Sequence, residues 1–135
     1  MTSSSDKSKE SWTLAGSEAI KSPIEGTRRY RSSDAPWEPT QLDGFWIKSL
    51  YEDPVLGEKT MLMKVDPGAY APSHTHPEEF EQVFVLDGSF YDQDGTMVAG
   101  DYCCRAPNAP HSSGSKEGAL VMLVYTKRRS RMRSD

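Results

Sequence analysis

The chain has 135 residues, with 16 Lys and Arg against 20 Asp and Glu, a net charge of −4, three histidines and two cysteines. That length suits one domain. The stretch 36–126 is distinctly acidic, with 14 acidic and 5 basic side chains, which repels phosphate backbones and argues against nucleic acid as a partner. The longest apolar run, residues 119–125, is far short of the roughly 20 residues of a membrane span. The opening MTSSSDKSKE lacks the apolar centre of a secretion signal, so a soluble, cytoplasmic protein with no membrane partner is expected.

Residues 1–35 are rich in Ser, Lys, Glu and Arg and thin in large apolar groups, a composition that does not repay the entropy of ordering. They read as a flexible N-terminal arm. Trp12, Ile20, Ile24 and Trp37 are spaced along and just past it as apolar anchors, suited to docking on the domain or on a second subunit. Residues 36–126 read as the folded barrel. Residues 127–135 form a basic tail carrying Lys127, Arg128, Arg129, Arg131 and Arg133, expected to be a solvated end without assigned function.

From Gly44 onward the texture is short β-rich runs: GFWIKSLY, KTMLMKV, FEQVFVL, GSFYD, MVAGDYCCRA and ALVMLVYT. Asp-Pro, Asp-Gly and Pro-Asn segments between them suit tight reversals, and no segment keeps a helical period. This predicts an all-β antiparallel domain, with closure into a barrel or double sheet hiding the edges of such short strands. Alternation places Met61, Met63 and Val65 on the inner side of one strand and Glu81, Val83 and Val85 on one face of another, with Phe80, Phe84 and Leu86 opposite. A strand apolar on both faces implies that its outer face is covered too, by the arm or by a partner subunit, and a homodimer packed through sheet faces is expected.

The adjacent Cys103 and Cys104 cannot bridge without strain and read as reduced thiols. All three histidines fall in two segments: His74 and His76 in GAYAPSHTHPEEFEQVFVLDGSF, and His111 closing GDYCCRAPNAPH. Imidazole is the commonest ligand for first-row transition metals, and an extended His-x-His points both rings to one side. A metal site follows as the leading reading. Three carboxylates, Glu78, Glu79 and Glu81, lie within five residues of His76; Glu81 shares a strand face with Val83 and Val85, whereas Glu78 and Glu79 read as exposed loop charges.

The spacing from Gly68 through His74, His76 and Glu81 to Gly88 resembles the first signature motif of the cupin superfamily, and Gly100-Asp101, Pro107 and His111 resemble the second. Asn108 and Ser115 stand where that family often has glycine and asparagine, and residues 89–99 form the variable hairpin between the motifs. The resemblance implies a cupin-type antiparallel β-barrel (double-stranded β-helix, or jelly roll) with an N-terminal arm, and His74, His76, Glu81 and His111 as metal ligands inside it. Such a site takes one divalent transition ion per subunit, with Fe(II) favoured for redox chemistry and Zn(II), Mn(II), Ni(II) or Cu(II) also compatible.

Tyr70, just before the ligand segment, and Arg105, on the strand leading to His111, are candidate catalytic or substrate-contacting residues; Phe45, Ile47, Met61, Met63 and Val83 are candidate pocket walls. The chain looks similar to small cupins related to acetylacetone-cleaving dioxygenase and to the cupin half of zinc-binding anti-sigma factors. That resemblance implies a dioxygenase acting on a small enolisable carbonyl or diketone. A non-redox lyase, isomerase or cyclase and a small-molecule-binding module are the alternatives. The anti-sigma relatives carry a further metal-binding helical domain at the N-terminus, and residues 1–43 here contain neither histidine nor cysteine, which disfavours that partner-binding role.

Overall fold

In the computed structural model, residues 18–127 are described, and they contain ten strands and one 3-10 turn at Ser32–Asp34. The strands are β1 Ile20–Lys21, β2 Glu38–Pro39, β3 Phe45–Asp53, β4 Glu58–Val65, β5 Tyr70–His74, β6 Glu79–Asp92, β7 Gly95–Val98, β8 Tyr102–Arg105, β9 His111–Gly114 and β10 Ala119–Lys127. The architecture is all-β and almost wholly antiparallel. Trp12 and residues 128–135, singled out in the sequence as an anchor and a basic tail, lie outside the described residues.

Hydrogen bonding orders the strands β1-β3-β4-β10-β6-β9-β5, with β2 beside β3 and with β7 and β8 beside β6. Strand β6 is the hinge of the layers. Its first part pairs with β10 and β8, whereas residues 89–92 pair with β7. The inward faces of both layers meet in one apolar cluster of Phe45, Met61, Val65, Ala71, Val83, Val85, Phe90, Ala119, Val121 and Leu123. Period-two alternation in β4, β6 and β10 supplies Met61 and Val65, Val83 and Val85, and Val121 and Leu123 to it. The face assignments made from the sequence for β4 and β6 hold.

Two reversals differ from the sequence reading. Asp87-Gly88, chemically suited to a turn, does not reverse the chain, because β6 runs through it as one 14-residue strand. The register with β10 shifts just before this pair, where Leu86 is skipped between Val85 and Asp87, and the resulting bulge redirects the strand. Gly88 has a φ of +78°, and a Cβ on it would fall 2.0 Å from the Gly118 carbonyl oxygen, so both the turn of the backbone and the close approach require glycine. Conversely, MVAGDYCCRA is not one run. It breaks into β7 and β8 where the Asp101 carboxylate accepts the Val98 N–H at 2.9 Å and Asp101 N–H reaches the Val98 carbonyl at 2.9 Å.

Part of the segment expected as an arm is tied to the sheet: β1 runs parallel to β3, with Ile20 opposite Tyr51. No described helix is long and apolar enough to cross a membrane. The outward face of β6 keeps Phe84 at 37% and Leu86 at 40% exposure within one chain.

Candidate metal centre

Register brings the histidines together. In the β5–β9 ladder His74 and His111 are direct cross-strand partners, and His76 follows in the turn that Pro77 opens toward β6. Ring centroids are 4.4 Å apart for His74–His111, 4.9 Å for His74–His76 and 5.4 Å for His76–His111. One ligand atom from each ring lies within 4.8 Å of the others, the one such group among the described residues.

The ring orientations suit metal binding. His74 Nδ1 sits 2.9 Å from the Pro72 carbonyl oxygen and His111 Nδ1 sits 3.1 Å from that of Ala109. A carbonyl only accepts, so each Nδ1 carries the proton and each Nε2 keeps its lone pair. His76 Nδ1 lies 3.5 Å from Glu79 Oε1, which leaves its Nε2 as the ligand atom too. Burial holds the His111 pKa below the usual imidazole value, with the Arg105 charge acting the same way and the Ala109 carbonyl and Glu81 opposing it. A neutral ring is the form a metal requires. Three convergent imidazoles of this kind fit a divalent first-row transition ion.

Glu81, only 5% exposed, stands beside this group with Oε1 3.5 Å from His111 Nε2. Its neighbours are again fixed by register: Glu81 pairs with Arg105 on β8 and with Tyr125 on β10. Arg105 Nε donates to Glu81 Oε1 at 3.1 Å, and the Tyr125 hydroxyl donates to Oε2 at 2.8 Å. Arg105 Nη1 also donates to Asp92 Oδ2 at 2.9 Å. A carboxylate offers about four lone-pair sites, so these bonds fix Glu81 without exhausting it. Burial and the Glu81 carboxylate push the Tyr125 phenol well above its ordinary pKa, keeping it a donor. Burial works against the Arg105 charge, yet the Asp92 hydrogen bond and the surrounding negative groups hold its pKa above the usual value.

These groups open onto a cavity of about 170 Å³ walled mainly by Phe45, Ile47, Met61, Met63, Phe90 and Leu123. Four of the five wall residues named from alternation are there; Val83 is instead packed in the core. Arg105 faces the cavity, but in a buried ion-pair network rather than on the surface. Tyr70 does not reach the cavity: it is 54% exposed at the start of β5, because alternation turns Ala71 inward and Tyr70 out. The aromatic hydroxyl at the site belongs to Tyr125.

Sequence reasoning missed Tyr125 and Asp92, and it read Glu79, which lies beside the His76 ring, as an exposed loop charge. Tyr125 could have been found, since it continues the inward alternation of Val121 and Leu123. Asp92 could not, because its contact with Arg105 depends on which strands are neighbours.

The profile of the ChrR cupin-like domain family matches residues 26–129. A comparison with curated protein sequences finds no match. Among solved structures, a proposed acetylacetone dioxygenase from Methylibium petroleiphilum is 20% identical, with 79% of this chain and 81% of that one covered at a TM-score of 0.67. The polyketide cyclase RemF from Streptomyces resistomycificus is 18% identical, with 75% and 80% covered at 0.66. KdgF from a Halomonas species is 20% identical, with 73% and 94% covered at 0.64. At these identities the likeness establishes the fold alone.

Proposed function

Because the chain belongs to the ChrR cupin-like domain family and carries three convergent imidazoles in an apolar cavity, we propose that it is a metal-dependent cupin enzyme, a dioxygenase acting on a small enolisable carbonyl or diketone. His74, His76 and His111 would hold the ion, with Glu81 as a fourth donor. Bound there, the ion would supply Lewis acidity and, if it is Fe(II), access to dioxygen chemistry. The chain's own residues do the rest. The Pro72 and Ala109 carbonyls fix the imidazole orientations, Arg105 and Tyr125 fix the Glu81 carboxylate, and the apolar walls exclude water from the substrate.

The observation that supports this substrate class is the state of Arg105. It is the one Lys or Arg among the cavity-lining residues, and Glu81 and Asp92 already engage its guanidinium. Among the described lining residues no side-chain cation is left over, so a substrate anion would meet the ion itself. With neutral imidazoles, a divalent ion, two carboxylates and one guanidinium, the buried charge comes to +1, which a single enolate neutralises. A small, otherwise apolar monoanion is the best match.

The test is oxygen uptake by Fe(II)-loaded protein against a panel of small diketones and phenolic ketones. Uptake that depends on substrate and on His111 is the expected result. Turnover without oxygen consumption would select the second reading, a lyase, isomerase or cyclase in which the Glu81–Tyr125 pair moves a proton; saturable binding without turnover would select a small-molecule-binding module.

A further inference from the structure

The outer side of the large layer carries a continuous apolar row. Leu62 on β4 pairs with Met122 on β10, Met122 pairs with Phe84 on β6, and Phe84 pairs with Tyr102 on β8. Four neighbouring strands therefore contribute side chains at one level of the sheet, and Leu120, Val124 and Leu86 widen the patch above and below. Phe84, Leu86 and Tyr102 are 37%, 40% and 54% exposed. A soluble chain gains by covering such a contiguous face.

Two charges sit beside the row with no ion-pair partner among the described residues. Lys64 on β4 and Asp87 on β6 both pair with Leu120 of β10, so they stand at the same level, one strand to either side of it. The Lys64 ammonium rests against the Trp37 and Trp46 rings, 5.3 and 5.4 Å from their centroids, without an acidic neighbour among the described ion pairs.

We propose that this face is where two copies of the chain associate, about a two-fold axis running parallel to β10. Rotation about that axis sets β4 of one copy over β6 of the other while keeping every residue at its level. Leu62 then lies over the second copy's Phe84, Met122 over its counterpart, and Lys64 over Asp87, with the ion pair formed twice by symmetry. Tyr102, at the far edge, falls toward the Lys48–Trp37 stack. Face-to-face sheets cross at about 30° with strands about 4.8 Å apart, which displaces a residue one strand from the axis by only about 2.4 Å. An axis running across the strands instead places Lys64 over Thr60 and Asp87 over Gln82, leaving both charges unpaired. Charge complementarity selects the first arrangement.

The full chain is examined by size exclusion with light scattering and by sedimentation at micromolar concentration. Twice the chain mass is expected. Phe84→Glu should yield a monomer with unchanged far-ultraviolet circular dichroism and metal content. Lys64→Glu and Asp87→Lys, each placing like charges together twice, should each weaken dimerisation about tenfold or more, and the double exchange should return it to near the starting value. A monomeric parent chain, a dimer indifferent to Phe84→Glu, or a double variant no better than either single one would overturn the proposal. The surface charge variants carry the decision if Phe84→Glu fails to fold.

Discussion

Strands β10, β6 and β8 carry two rows of opposite character on their two faces. Inward, Tyr125, Glu81 and Arg105 stand side by side in register; outward, Met122, Phe84 and Tyr102 do. Burial favours the reverse distribution, and the inversion is informative. The inner polar row persists because every member is bonded to the next, so that a buried carboxylate costs little once its guanidinium and hydroxyl partners are in place. The outer row has no such bonds from one member to the next, and among the described residues Phe84 and Tyr102 stay exposed.

The inner row and its histidines should be the more fragile part. His111→Ala should reduce metal affinity by more than the roughly 10–100-fold that loss of a ligand's outer partner costs, measured by competition with a chromophoric chelator. Arg105→Met leaves Glu81 and Asp92 buried without their shared cation and should lower unfolding free energy by about 3–5 kcal/mol in urea titration. A loss under about 1 kcal/mol would mean that the network is solvated in solution. Tyr125→Phe removes one charge-assisted hydrogen bond and should cost about 1.5 kcal/mol while leaving metal content intact. At the small end, Tyr102→Ser on the outer row should change the stability of a single chain by less than about 0.5 kcal/mol; a larger loss would show that the outer face is supported from within.

What could be read from the chain follows the same division. His74 and His76 were legible as a pair because local spacing and strand alternation aim them together, whereas their meeting with His111 across the β5–β9 ladder and the choice of Glu81 rested on the resemblance of two spaced motifs to the cupin signatures. Tyr125 and Asp92 were not legible, since they meet Glu81 and Arg105 only through strand pairings across 44 and 13 residues. Glu79 was read as a loop charge, yet it lies beside the His76 ring, a detail of turn geometry that no period encodes. Gly88 was misread for a related reason: Asp-Gly favours a reversal only when the chain has nothing to continue along, and here β10 offers β6 a partner on both sides of the bulge.

The β6–β7 hairpin tip has a practical consequence for anyone adding a reporter to this molecule. Exposed hairpin tips are usually the safest places for grafted peptides, but this one is fastened inward: Asp92 grips Arg105, and the Gln93 side chain accepts the N–H of Ser112, next to His111. Lengthening it would disturb the metal centre from a distance. The loop between β3 and β4 is the better attachment point, because Val55 and Leu56 project into solvent there and the bonds that shape it, from their N–H groups to the buried Asp53 carboxylate, stay within the turn.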